Sequence, residues 1–301
     1  DIAIDAYRIE AAPAQDQAAL SAAYILGYRS ALLVSGAGAL YAAEYWGWAQ
    51  AYQVMALCGG VGLVTTLLIS RPALANDESA SKAEEGLSKW PGLQGLFLAP
   101  ITDFFVRNGR FAMFLLSFIA LYRLSDITMG IMANPFYLDL GYTKLQIANI
   151  AKGLGFALSI LGSFLGGVLV VRWGVLMTLL IGGVAVALTN LLFALLALTE
   201  PNLVWLALII GADNLSGGIA ATSFIAYLSS LTHTAYTATQ YALFSSLMTL
   251  PGKFTSGFSG IAVDAFGYPL FFIGAGALGV PAILMVLYLV HRERAPPLDH
   301  R

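Results

Sequence analysis

The feature that most constrains this chain is the length of its apolar runs, several of which carry charge in their interior. Eight stretches, near residues 20–43, 47–70, 111–137, 144–171, 176–198, 203–231, 238–264 and 267–291, each match a hydrocarbon core of about 30 Å, which takes about 20 residues as α-helix. The runs are continuous rather than alternating at period two, so spanning helices are expected and a β-barrel is not. Composition agrees. Hydrophobic residues are 58% of the chain and charged residues 11%, with a mean hydropathy of +0.77, where a soluble domain carries about 25% charge. The expected fold class is an all-α polytopic membrane protein with about eight complete transmembrane helices. Residues 1–8, DIAIDAYR, read as the tail of a further, partial one.

Several function classes are disfavoured at this stage. The net charge is -2 and no basic block occurs, which gives nucleic acid no footprint. The single cysteine, Cys58, lies in an apolar run and offers neither a disulfide framework nor metal-ligand spacing. No serine–histidine–acid set, phosphate loop or metal cluster is seen, so no enzyme, cofactor or metal is expected. His233, His291 and His300 fall at helix edges and do not form a proton relay. No signal peptide is visible, and the first residue is Asp1.

Lys and Arg set the orientation. Arg8, Arg71, Lys82, Lys89, Arg107, Arg110, Arg172, Arg292, Arg294 and Arg301 collect on one side, and only Lys144 on the other. That places the 71–110 connection and the C-terminus in the cytoplasm. Residues 71–90 are polar, whereas Leu93, Phe97, Leu98, Ile101, Phe104 and Phe105 recur at helical spacing with Asp103 and Arg107 as contrast. The pattern predicts an amphipathic helix lying on the membrane face, as a strap between two halves or as a docking site. The expected layout is 1–70 for the remainder of a first half, 71–110 for the linker, 111–294 for a second, six-helix half, and 295–301 for a tail.

An internal repeat supports two halves running in the same direction. EYWGWAQAY (Glu44–Tyr52) matches DAFGYPLFF (Asp264–Phe272), DQAAL (Asp16–Leu20) matches TQYAL (Thr239–Leu243), and DIA at the start matches FIA at Phe224. Residue 1 then corresponds to about the middle of the second half's fourth span. On that register, three helices and much of a fourth, roughly 110 residues, are expected upstream. Without that wall of the cavity, transport is not expected.

The ionisable residues inside the spans locate the function. Arg123 and Asp126 lie near the middle of Phe111–Tyr137, three apart and so on one helix face. Arg29, Lys152, Asp213 and Lys253 recur at similar depth. A charge at mid-bilayer costs about 2.5 to 3.5 kcal/mol on the mildest scale, so such a set is expected where helices surround a polar cavity. Pro135, Pro251 and Pro281 read as kinks within or near the ends of spans.

Two six-helix halves joined by a cytoplasmic loop is the layout of the major facilitator superfamily. DIAIDAYRIE, ILGYRSALLVSG, APITDFFVRN, ALYRLSDI, ADNLSGG and TATQYALFSSL, in that order, resemble AmpG-type muropeptide permeases, which are related to acetyl-CoA transporters. The blocks run from residue 1 to about 270; DIAIDAYR and TATQYALFSSL are the more specific ones. The resemblance implies import of anhydro-muropeptides, sugar-peptide fragments of cell wall, into the cytoplasm with protons, by a monomer in the inner membrane. The superfamily loop motif G-x-L-x-D-R-x-G appears as GVLVVRWG, Gly167–Gly174. Val171 stands where the motif has its acid, which puts the usual charge-relay gate in doubt, while Gly167 still permits close helix approach and Arg172 still faces the cytoplasm.

Set on that implication, Asp126 is the first candidate for proton exchange, with Arg123 tuning it; the alternative is a permanent structural ion pair. Asp213, beside Asn214, is the second candidate, or a partner for Lys152 or Lys253. Asp1 and Asp5 stand ready for similar work in the first half, or Asp5 with Arg8 forms a gate pair at the cytoplasmic edge. Lys253, Arg29 and Lys152 are the cations available for substrate carboxylates, although Lys152 and Arg29 lie near enough to span ends to snorkel. Tyr122 is the preferred sugar-stacking ring, ahead of Tyr24, Tyr28, Tyr137 and Tyr241. Two rivals stay open: a carrier of another solute such as acetyl-CoA, a peptide or a drug, and a non-transporting receptor or scaffold. A receptor need not retain Asp126, Asp213 and Lys253.

Overall fold

The structure is a computed structural model and describes residues 2–13, 16–69, 93–233 and 236–294. These residues are helical, with no strand among them. In chain order the helices are α1 (Ile2–Glu10), α2 (Gln17–Leu33), α3 (Ala39–Trp46), α4 (Trp48–Leu68), α5 (Leu93–Asn108), α6 (Phe111–Tyr122) and α7 (Leu124–Asp139). There follow α8 (Lys144–Ile147), α9 (Gly155–Trp173), α10 (Val175–Leu196), α11 (Leu203–Leu231), α12 (Thr237–Ser256) and α13 (Ser259–Arg294). Wider π-helical turns join α2 to α3 at Val34–Gly38 and α8 to α9 at Ala148–Leu154.

Among the described residues, six stretches are long and apolar enough to cross a membrane: Trp48–Leu68, Phe111–Asp139, Leu145–Trp173, Val175–Leu196, Leu203–Leu231 and Ser259–Glu293. Eight were expected. The run near 20–43 is helical, but α2 is only 17 residues long before its π turn; the run expected over 238–264 breaks at a turn over Gly257–Phe258, and α12 before it holds Gln240, Lys253 and many hydroxyls. A second difference concerns the charged helix. It does not run unbroken through 111–137, because Arg123, with φ -99 and ψ 3, separates α6 from α7.

Termination is local and legible. Asn202 caps α11, its side-chain oxygen accepting from the backbone N–H of Val204 (2.8 Å) and Trp205 (3.3 Å). Thr143 and Gln146 form a reciprocal capping box over α8, with bonds of 2.9 and 3.2 Å. Gly47 and Gly267 turn the chain sharply between α3 and α4 and within α13, at φ 85, ψ 163 and φ 75, ψ 165. Only glycine occupies that region readily. These two residues correspond in the sequence repeat, so the matching turns give it a structural counterpart.

The second half packs as a bundle: α11 lies between α9 and α10, α10 also packs on α13, and α7 contacts both α12 and α13. The α9–α11 contact is close because it is made of glycine. A Cβ at Gly162 would run into the Leu215 carbonyl, and one at Gly218 would lie 2.5 Å from the Ser159 carbonyl oxygen. From the first half, α2 lies on α9 and α11, where Gly167 meets Ala22, and α1 lies on α12. Helix α4 buries only Ala51.

Two apolar clusters fill the bundle. One contains Ile9, Phe104, Phe118, Tyr122, Val186, Phe224, Tyr227 and Phe244, near the linker helix α5. The other contains Met129, Phe136, Phe193, Leu206, Ile210 and Phe272, at the opposite end. On α7, α10 and α11 the residues between these clusters are polar, and the candidate site lies there.

Candidate functional site

Arg123 sits at the break between α6 and α7, where it ends one helix and begins the next. The break lets its guanidinium fold back onto the first turn of α7, and it donates to Asp126 Oδ2 at 2.6 Å. Both side chains are about one-third exposed (32% and 30%), so the pair is accessible and not sealed in the core. A small cavity of about 20 Å³ adjoins it, lined by Tyr122, Arg123, Ser125, Asp126, Gly183, Gly217 and Gly279. That is room for about one water. One residue before Asp126, the Ser125 hydroxyl accepts a 2.7 Å bond from Asn190 Nδ2 on α10. One turn later, the Thr128 and Thr255 hydroxyls bond at 2.8 Å, and Ser259 donates to the Thr128 carbonyl.

Asp213, on α11, is within electrostatic reach of Asp126. The one hydrogen bond to its carboxylate among the described residues comes from the Thr189 hydroxyl on α10, at 3.1 Å. No lysine pairs with it there: Lys253 is exposed on α12, and the Lys152 side chain lies outside the described part, its backbone falling in the π-helical turn. The structure therefore pairs Arg123 with Asp126 and ties Asp213 to the same layer through Thr189 and Asn190 of α10. It does not bring Lys253 or Arg29 to them; the latter is half-buried on α2, and neither side chain makes a hydrogen bond or ion pair among the described residues. Asn214 turns its amide back to the Ile210 carbonyl of its own helix at 2.9 Å, against Gly155.

Tyr122 is held by the core on one side and lines the small cavity on the other. Its ring stacks on Phe224 with centroids 4.6 Å apart, its hydroxyl donates to the Leu179 carbonyl at 2.8 Å, and it is 8% exposed.

A second polar cluster lies at the linker end. Arg8 is buried between α1, α2, α11 and α12. It donates to Gln17 (3.1 Å), Ser21 (3.1 Å) and, across to the second half, Ser229 (2.9 Å). Asp5 pairs with it at 3.6 Å, and the rings of Tyr24 and Tyr241 flank the guanidinium. Asp1 lies outside the described residues. Arg172 is exposed at the end of α9, next to an apolar groove between α2 and α9. On the second half, Gln240 receives Arg107 (3.1 Å) and donates to Asp103 (2.9 Å), both from α5. The linker helix is thus docked on the bundle.

Sequence reasoning missed Ser125, Thr189 and Asn190 in the middle layer, and Gln17, Ser229, Gln240 and the Asp103–Arg107 pair at the end. The signal for the first group was present: Thr189-Asn190 interrupts an apolar run of 22 residues, and polar residues in lipid need partners as charges do.

Comparison with known proteins places the chain. The Major Facilitator Superfamily profile matches residues 1–255. The Rickettsia conorii protein named "Putative transporter AmpG 4" is 34% identical over 291 residues, covering 96% of this chain and 68% of that one. "Putative transporter AmpG 1" of Rickettsia bellii is 30% identical over 295 residues, covering 97% and 70%. The Escherichia coli K12 protein named "Anhydromuropeptide permease" is 30% identical over 289 residues, covering 95% of this chain and 56% of its own length. A helical bundle with membrane-length spans, a charged layer at mid-span and this set of relatives lead to one conclusion: the chain belongs to the Major Facilitator Superfamily and, within it, to the AmpG-type transporters.

Proposed function

We propose that this protein is a secondary transporter that brings anhydro-muropeptides across the bacterial inner membrane together with protons. Its linker and C-terminus then lie in the cytoplasm, it works as a monomer, and α2–α3 and α12 complete the set of crossing helices. The substrate class is taken from the similarity to the Escherichia coli permease.

The observation that carries the proton reading is the middle layer, with two carboxyl groups from different helices and unequal partners. Asp126 has an arginine at 2.6 Å; Asp213 has a hydroxyl at 3.1 Å. A proton on Asp126 releases Arg123 from its ion pair and frees a guanidinium for a substrate carboxylate, which it can hold through two parallel bonds. Loss of the proton re-forms the pair. Asp213 has no cation partner among the described residues and is the second carboxyl group that can take up a proton. Lys253 and Arg29 add positive charge for the peptide carboxylates. At the linker end, Arg8 and Ser229 join the two halves and act as a cytoplasmic gate that opens when the halves separate, with Asp5 and Arg172 beside it.

The test is Asp126→Asn in membrane vesicles of a strain lacking its own permease. Uptake of labelled anhydro-muropeptide driven by a proton gradient is lost, while exchange of labelled for unlabelled substrate continues. Undiminished gradient-driven uptake would overturn the proton role.

A further inference from the structure

Two successive residues of α10 reach the two carboxyl sites. Thr189 donates to Asp213 on α11, and Asn190 donates to Ser125 on α7, immediately before Asp126. Successive residues of a helix point about 100° apart, so a single turn of α10 touches both sites. Neither contact is the economical one for packing alone. The Thr189 hydroxyl has one hydrogen and two acceptors in range, Asp213 Oδ1 at 3.1 Å and the Val186 carbonyl at 2.9 Å. Asn190 is 0% exposed, and its side-chain oxygen has no hydrogen-bond partner. Exchanging the amide nitrogen and oxygen leaves one of its atoms without a partner all the same. Such a group is costly in a core, and the Ser125 hydroxyl beside it has a hydrogen to give.

We propose that Thr189 and Asn190 are a positioning pair that couples the proton state of Asp213 to the Arg123–Asp126 ion pair. The proposal rests on the proton-coupled reading above and deepens it. An ionised carboxylate only accepts hydrogen bonds, and a protonated one also donates. With Asp213 ionised, the Thr189 hydrogen points to it. With Asp213 protonated, the carboxyl donates to the Thr189 oxygen and the threonine hydrogen turns to the Val186 carbonyl. The re-aimed bond shifts the α10 turn that carries Asn190, whose idle atom takes up a bond from Ser125 as α7 moves. The only covalent change is the O–H bond that forms on Asp213 as one breaks on the hydronium ion that delivers the proton, leaving water; the hydrogen bonds reorient around it. The titratable groups facing Asp213 are Asp126 and, farther along α7, Tyr137; the only cation at the layer among the described residues is Arg123.

The natural protein tests this in vesicles with labelled anhydro-muropeptide, comparing Thr189→Val, Thr189→Ser, Asn190→Leu and the double variant. Thr189→Val and Asn190→Leu each slow gradient-driven uptake about tenfold, the equivalent of one hydrogen bond of ordinary net strength, and leave exchange within about twofold of the parent. Thr189→Val also displaces the pH profile of uptake, and Thr189→Ser restores both. The double variant is no slower than the slower single one, because the two residues act as one unit. Equal loss of uptake and exchange, an unmoved pH profile, or independent multiplying effects would overturn the coupling. If Asp126→Asn and Asp213→Asn keep gradient-driven uptake, the proton reading itself fails, whatever the α10 variants do.

Discussion

Replacing Gln240 by leucine is the sharpest test of the docked linker helix, because one buried amide makes four hydrogen bonds at that contact. Gln240 is 1% exposed. Its Nε2 donates to the Pro100 carbonyl and to Asp103 Oδ2, each at 2.9 Å, and its Oε1 accepts from Arg107 at 3.1 Å and from the His233 backbone N–H at 2.8 Å. Gln240→Leu keeps the approximate volume and removes all four bonds. Asp103 and Arg107 are 22% and 34% exposed and stay paired with each other at 3.0 Å, so water replaces most of what they lose. The Pro100 carbonyl and the His233 N–H lose this partner inside the protein. At about 1 kcal/mol per net bond, and more for a buried group left bare, the loss is about 2 to 3 kcal/mol. It falls on the docking of α5 and not on the bundle. Hydrogen exchange in detergent reads it directly: amides of residues 93–108 exchange about thirtyfold faster for 2 kcal/mol, while those of α10 and α11 keep their rates. The matching variant Gln17→Leu, in the first half, speeds exchange in α1 and leaves 93–108 unchanged. Unaltered exchange over 93–108 after Gln240→Leu would refute the reasoning.

Two further outcomes are expected from the same packing. Arg8→Ala leaves the buried Asp5 carboxylate without its cation and lowers stability by about 3 to 5 kcal/mol, whereas Asp5→Leu with Arg8→Met loses much less, as thermal unfolding of the purified protein measures. Gly162→Ala drives a methyl group into the Leu215 backbone, which cannot yield without parting α9 from α11; a loss of about 1 to 3 kcal/mol and reduced membrane abundance follow.

How much of this was legible follows from which forces act locally. Helix ends at 47–70, 176–198 and 203–231 were close to their predicted places because apolar runs stop at capping residues and glycine turns, features of a few adjacent residues such as Gly47, Gly174 and Asn202, whereas the boundary expected near 264–267 lies at the Gly257–Phe258 turn. The Arg123–Asp126 pair was legible for the same reason, being three residues apart. The break at Arg123 was not, since nothing in ALYRLSDI besides the charge marks it, and the fold-back depends on space left by Gly183 and Gly217 from other helices. Tyr122 looked like a ligand platform because it adjoins a charge. Its orientation was decided by Phe224, about a hundred residues away, whose ring it stacks on. Lys253 was read as a substrate cation from its depth in the run; depth does not give direction, and the structure adds that its side chain is exposed on α12.

The repeat explains the linker end better than either half does alone. The offset that pairs Gln17 with Gln240 also pairs Asp5 with Leu228 and Arg8 with Leu231, so the second half keeps the amide and lacks the charges. In the first half, the amide holds Arg8 of the preceding helix and closes the end of α1 through the Arg8, Ile9 and Ala12 carbonyls. In the second, α5 brings Asp103 and Arg107 to the same place, and Arg107 donates to the carbonyl of Leu231, the residue that stands where Arg8 does. A helix outside the repeat therefore supplies the ion pair that the repeat omits. That helix is followed, after a turn at Gly109–Arg110, by α6 and the Arg123 break, so the docked end and the middle layer lie on one stretch of chain.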